Sequence, residues 1–236
     1  MDSMSTPDDP GIRARKRAGI ETELREVGRR HLAEHGAAAL SLRAVARDMN
    51  RTPSSLYRYV RNRDELLTVL IVEAYDDLGD AIDADVESRR TPRTRFVAFA
   101  DALRRWAIDH PSEYALLYGS PVPGYHAPVQ ATARAGTRPI LALAAISAAV
   151  AEPPAVVGTD PKTQSTAIAA LSGLAAEPEV RAVGLSPAML TRALTVWNLL
   201  LGSISSEVFE QMGPTTDRPD RVWAGVVDLG AALLFG

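Results

Sequence analysis

Ser41-Leu42-Arg43-Ala44-Val45-Ala46-Arg47-Asp48-Met49-Asn50-Arg51-Thr52-Pro53-Ser54-Ser55-Leu56-Tyr57-Arg58-Tyr59-Val60-Arg61-Asn62-Arg63 is the stretch from which the rest of the chain is read. Leu42, Val45, Ala46 and Met49 fall at i, i+3, i+4 and i+7, one face of a short helix. Ser41 stands where an N-cap side chain accepts from an orphan amide. Asn50-Arg51 interrupts the pattern, and Asn tolerates the left-handed backbone of a tight turn. Thr52-Pro53 restarts a helix, with Thr as the cap and Pro at the first helical position, whose N–H has no partner anyway. Leu56 is the main apolar residue of this second short helix. Asn62 is expected to cap a further helix opening Arg63-Asp64-Glu65, with acids in its first turn.

Upstream, Arg13 to His35 lacks proline and carries Ile20, Leu24, Val27 and Leu32 at roughly helical spacing, with Gly36 as a natural stop. Two short helices behind a longer supporting helix make a helix-turn-helix. The second short helix offers Thr52, Ser54, Ser55, Tyr57, Arg58 and Tyr59 on its free side, an unusual density of hydrogen-bonding groups for a packing element. Arg58 can fork to guanine, and Ser or Thr hydroxyls can meet other base edges. Tyr57, Arg63 and the amide-rich helix start at Ser41 suit phosphates. Arg43, Arg51 and Pro53 complete the set expected near DNA.

The charge distribution agrees. Residues 11–63 carry 13 Arg or Lys against 5 acids, whereas residues 64–236 carry 13 against 21, so a net charge of −3 hides a basic quarter on an acidic body. A solvated arginine-rich face is the alternative explanation; with the helix-turn-helix pattern, the charge points to a polyanion. The chain has 236 residues and no cysteine, which removes disulfides, zinc ribbons and thiol nucleophiles. No apolar run is long enough to span a membrane, and the acidic start fits no signal peptide. Residues 1–11 are expected to be a disordered lead-in, residues 12–63 the DNA-binding domain, and residues 64–236 a helical body. A cytoplasmic location is expected.

The run from about Arg17 to Leu67 resembles the N-terminal domain of TetR-family transcriptional regulators. The resemblance lies in Ser-Leu-Arg-x-Val-Ala at 41–46, in Thr52 to Tyr59, and in Asn62-Arg63-Asp64-Glu65-Leu66-Leu67. Four positions depart from the family pattern: Asn50 stands where Gly is usual, Arg51 where a small aliphatic residue is, Val60 replaces an aromatic, and Arg63 replaces a phosphate-contacting Lys.

Beyond residue 64 the chain reads as helical throughout, so the expected fold is all-α. Leu66 to Ile82 is richly apolar, Thr91-Pro92 caps another helix, and residues 119–128 form a loop by every local rule. Val129 to Val150 reads as a helix with a kink or break at Pro139, and Glu152 to about Lys162 as a second loop. Leu190, Leu194, Trp197, Leu201, Ile204 and Val208 step by fours and threes; Val222, Val226, Leu229 and Leu233 repeat this after a Gly213-Pro214 turn. Apart from Trp197, these seams either face the chain's own core or form a four-helix contact across a homodimer axis.

Tyr114 to Tyr125, Gly136-Thr137-Arg138 and the helix with Trp197, Gly202 and Glu207 are similar to the WHG-type C-terminal domain of TetR-like regulators, with Leu201 in place of the naming His. That resemblance implies a small-molecule site, for an apolar or aromatic effector. Its candidate lining is Phe99, Leu103, Trp106, Tyr114, Tyr118, Tyr125, His126 and Trp197, with Arg134 as an anion anchor. No cofactor is expected. His31 and His35 are spaced i, i+4 but lack a third metal ligand, so two surface histidines are expected. Hydrolase, phosphate-loop and dinucleotide motifs are missing. The resulting expectation is a homodimeric, ligand-released repressor on a near-palindromic operator. The rivals are a helical small-molecule enzyme with a basic extension and a nonspecific architectural DNA binder.

Overall fold

The computed structural model describes residues 10–150, 158–211, 213 and 216–236. Among these, twelve helices and no strand are found. They are α1 (Pro10–Ala39), α2 (Leu42–Asp48), α3 (Pro53–Leu56), α4 (Arg63–Glu87), α5 (Pro92–Asp109), α6 (Pro111–Tyr118), α7 (Val129–Ala148), α8 (Pro161–Ala170), α9 (Ser172–Ala175), α10 (Pro178–Val183), α11 (Pro187–Val208) and α12 (Pro219–Phe235).

Most of these boundaries have a local cause. Ser41 Oγ accepts from the Ala44 amide at the start of α2, Asn62 Oδ1 from Glu65 at the start of α4, and Thr91 and Thr94 form a reciprocal capping box on α5. Asn50 takes φ 52°, the left-handed turn expected of it. Helical geometry breaks at Gly36, as expected: the residue takes φ 74° and ψ 166°, a conformation glycine adopts freely, and a short helical stretch follows to Ala39. Two expectations need correction. Pro139 lies inside α7, which continues past it. Pro10 and Gly11, expected in the lead-in, already belong to α1, while residues 1–9 lie outside the described residues. Residues 152–157 of the second expected loop and Pro214 also lie outside them.

Two apolar clusters organise the molecule. The first gathers Ile20, Leu24 and Val27 of α1, Leu42, Val45 and Ala46 of α2, Leu56 of α3, and Leu66, Leu67 and Leu70 of α4. The second gathers Ala74, Leu78, Ile82 and Val86 of α4 with Phe96, Phe99 and Leu103 of α5, Tyr114, Leu143, Ile146, and Val196, Leu200 and Ile204 of α11. Helix α4 therefore lends one end to each cluster. Helices α8, α9 and α10 bury no residue completely. No described helix is long and apolar enough to cross a membrane.

Candidate nucleic-acid interface and cavities

Helix α3 has four residues, and only Leu56 is buried, with no exposed surface at all. That side chain fastens the helix to the first cluster and leaves the opposite side free. Thr52, Ser54, Tyr57 and Arg58 are exposed, as is Arg43 on α2, while Pro53, Ser55 and Tyr59 are half-buried. The Arg58 guanidinium lies 5.0 Å from the Tyr59 ring centroid, a cation–π contact that holds the cation at the surface. Thr52, expected as a cap, makes no capping hydrogen bond; its hydroxyl meets Ser54 Oγ at 3.1 Å. Ser55 donates to the Thr52 carbonyl at 2.7 Å.

Two further positions are engaged inside the protein. Arg63, expected at a phosphate, donates from Nε to the Leu40 carbonyl at 3.1 Å and from Nη2 to Ala37 and Ala38 at 2.9 and 3.1 Å. It satisfies orphan carbonyls at the end of α1. Arg51 pairs with Glu23 of α1 at 3.3 Å and is half-buried. Across the turn, His31 is 3% exposed and its Nε2 lies 2.7 Å from Asp48 Oδ2, which holds the Asp48 carboxyl below its ordinary range. The expectation of two surface histidines therefore holds for His35 only. Among the described residues no group of three potential ligands is placed to hold a metal.

The residues expected around an effector do not converge on one cavity. Phe99 and Leu103 are wholly buried packing residues of the second cluster. Trp106 is 5% exposed, stacked 5.3 Å from His110, with its indole N–H unpaired among the described residues. Tyr114 is wholly buried, and its hydroxyl meets Ser205 Oγ at 2.9 Å and the Leu201 carbonyl at 3.2 Å. Trp197 stands 6.4 Å from Phe99 and 6.0 Å from Tyr118. The Tyr118 hydroxyl is buried without a hydrogen-bond partner among the described residues, and burial pushes its phenol far above the usual range. His126 and Arg134 are exposed. Tyr125 alone of the set lines a cleft of about 410 Å³ between α4, the 119–127 loop and α7. A second crevice of about 730 Å³ lies on the other side of that loop, against the end of α1.

The leucine seams divide in the same way. Leu190 and Ile204 are 5% and 0% exposed and belong to the chain's own interior, not to a free face. Leu201, Val208, Val226 and Leu233 are partly buried against the second cluster, and Leu194 is half-buried. Val222 and Leu229 are 56% and 54% exposed, on the outer side of α12. Beside them α11 presents Leu199, Gly202, Ser203 and Ser206, which line a groove of about 500 Å³ with Val222.

Several structural residues escaped the sequence reading because their partners are distant. Arg104 of α5 forks to both Glu207 oxygens at 2.7 Å and reaches Asp220 at 2.8 Å, tying α11 to α12. Trp223 donates to Asp101 at 2.8 Å beside it. Arg138 of α7 lies over Gly79 of α4, where a Cβ would come within 2.6 Å of it, and pairs with Asp80 and Asp83 at 2.7 and 2.6 Å. Glu73 of α4 faces Arg29 of α1, 4.0 Å from its Oε1, and its Oε2 is buried and unpaired among the described residues. In the sequence, Arg138 and Glu207 stand out only as parts of motifs, not as the two ends of clamps.

Residues 24–70 match the family model for bacterial regulatory proteins of the tetR family, and residues 96–229 match that for the tetracyclin repressor-like C-terminal domain. The HTH-type transcriptional regulator Rv1816 of Mycobacterium tuberculosis (strain ATCC 25618 / H37Rv) is 41% identical over 211 residues, 86% of each chain. The regulator Mb1846 of Mycobacterium bovis matches to the same extent. Among solved structures, that of SCO4313 superposes with a TM-score of 0.75 at 31% identity, over 95% of this chain and 98% of its own. The exposed polar face of α3, the helical body behind it and these matches lead to one conclusion: the chain belongs to the tetR family of transcriptional regulators.

Proposed function

We propose that the chain acts as a homodimeric repressor that binds a near-palindromic operator and is released by a small-molecule effector. The observation that carries this reading is the build of α3, with one fully buried anchor, Leu56, and Thr52, Ser54, Tyr57 and Arg58 exposed opposite it. Two such helices in a dimer enter successive major grooves, with half-sites about one helical turn, roughly 34–36 Å, apart. Residues 12–63 are the reading head and residues 64–236 the effector-binding and dimerising body. The dimer face is the outer side of α11 and α12, where Val222 and Leu229 are exposed and Gly202 and Gly225 permit close approach of backbones. Helix α4 joins the two apolar clusters and so is the natural lever between effector and DNA. Such coupling typically amounts to about 1–3 kcal/mol. Action on DNA supports a cytoplasmic location.

The test is selection of random genomic fragments on the purified protein at moderate salt, followed by sequencing, then anisotropy titrations of the enriched site. A near-palindrome is expected. Arg58→Ala should weaken the enriched site by about 1–3 kcal/mol more than random duplex if Arg58 reads a base. Equal losses on both would make Arg58 a phosphate contact, and equal binding of random and selected DNA by the unaltered protein would favour an architectural binder.

A further inference from the structure

We propose that the cleft of about 410 Å³ between α4, the 119–127 loop and α7 is the effector site, and that it takes an uncharged, mainly apolar ligand whose polar groups donate hydrogen bonds. This rests on the regulator reading above and adds the place and the chemical class. The volume falls within the roughly 300–1,000 Å³ of small-molecule pockets.

The lining contains no acid, lysine, arginine or histidine. Arg134, expected as an anion anchor, is absent from it, and the nearby Arg138 is committed to Asp80 and Asp83. An ion entering would lose hydration without gaining a countercharge, which is costly. The apolar walls are Ile71, Leu116, Leu117 and Val122.

Three of the five hydroxyls in the lining, those of Tyr125, Thr132 and Thr137, have their hydrogens placed by the protein. Thr132 donates to the Pro128 carbonyl at 3.0 Å and Thr137 to the Ala133 carbonyl at 2.8 Å. Thr68 donates to the Asp64 carbonyl at 2.9 Å, so in its 2.9 Å contact with Tyr125 the tyrosine must be the donor. The hydrogens of Thr132, Thr137 and Tyr125 thus turn back into the protein, and the oxygens present lone pairs. Ligand N–H or O–H groups would find acceptors at these three oxygens, whereas an anion would have no charged partner anywhere in the lining.

The cleft is also placed to be felt by the DNA-reading end. Leu116, Val122 and Tyr125 wall the cleft and pack against the first apolar cluster, the one that holds α2 and α3. A ligand that spreads the 119–127 loop from α7 therefore loads the packing beneath the reading helix.

Two dyes that share a ring system separate the chemistry. N-phenylnaphthylamine is neutral with one N–H donor; anilinonaphthalene sulfonate adds an anionic group. The full chain should bind the neutral dye saturably, one per chain, with the sulfonate at least about ten-fold weaker. Ala133 of α7 and Ala127 of the loop are exposed lining residues, so Ala133→Trp and Ala127→Trp each obstruct the cleft without disturbing the core. Each should weaken the neutral dye at least about ten-fold while the unfolding midpoint stays in place. Equal binding of both dyes overturns the chemical class. Neutral-dye binding untouched by either tryptophan, or absent in the unaltered chain, overturns the site. Binding of the same preparation to its selected DNA is measured alongside: DNA bound with no dye effect rejects this site alone, and DNA ignored rejects the regulator reading.

Discussion

The ties that hold the first apolar cluster and those that hold the second differ in sequence span. Around α1 to α3 the polar links are short: Asn62 to Glu65, His31 to Asp48 17 residues apart, and Glu23 to Arg51 28 apart. In the body, Tyr114 and Ser205 are 91 residues apart, Arg104 and Glu207 103, and Trp223 and Asp101 122. A region closed by local contacts forms and opens on its own terms, whereas one closed by distant contacts needs most of the chain in place. The reading head should therefore be a separable cooperative unit, and the body should unfold as a whole.

Leu56→Ala should have the largest effect. Leu→Ala in a tight core costs about 2–5 kcal/mol, and Leu56 is the one buried residue of α3. All three tryptophans, Trp106, Trp197 and Trp223, lie in the body. On heating the variant, helical circular dichroism should begin to fall while tryptophan emission holds. A single transition seen identically by both signals would show one cooperative unit and break the comparison.

Arg104→Ala tests the other side. The Arg104 side chain is 13% exposed and Glu207 28%, so the loss leaves a half-buried carboxylate without its fork; Asp220, 88% exposed, adds little. About 2 kcal/mol is the expected cost. The tryptophan-monitored transition should move down and the head's should not. An equal shift of both would mean that the long-range clamp supports the reading head as well.

The same difference in span explains what the sequence could tell. Ser41, Asn50, Asn62 and Thr91 were legible because cap and turn chemistry is decided within three or four residues. Leu56 was legible as an anchor amid polar neighbours. The structural role of Arg63 was not legible, since nothing near it in sequence says that the end of α1 will bring three carbonyls to its guanidinium. The seam on α11 was misread in part: a step of 3.5 drifts across a helix of 3.6 residues per turn, so Leu190 and Ile204 face inward. The cleft depends on how the 119–127 loop lies against α7, and the loop's Gly and Pro residues announced only that a loop exists.

Glu73 of α4 faces α1 and tests the seam between the two helices by pH. Burial raises its carboxyl above the ordinary range; Asp77 and Glu113 add to this, while Arg29 and Arg25 oppose it. A carboxyl whose folded pKa is raised is neutral at low pH at no penalty. As pH climbs from the ordinary carboxylate range through the raised value, the folded state loses stability. Glu73→Gln should therefore stabilise the protein at neutral pH by less than Arg104→Ala destabilises it, and the gain should shrink below about pH 4. A gain independent of pH would locate the effect in packing instead.

The smallest effects compare two residues that look alike in sequence. Both Thr52 and Asn62 stand before helices as caps, but only Asn62 accepts a hydrogen bond, from Glu65 N at 2.9 Å; Thr52 caps nothing and is exposed. Asn62→Ala should cost about 1 kcal/mol of stability, and Thr52→Ala no more than about 0.5 kcal/mol, both read from chemical denaturation. Affinity for the selected operator should rank them the other way, because a hydroxyl without a capping duty on the outer edge of α3 is available to the groove. If Thr52→Ala loses stability as Asn62→Ala does and leaves DNA affinity unchanged, Thr52 belongs to the architecture of the turn, and the reading surface narrows to Ser54, Tyr57 and Arg58.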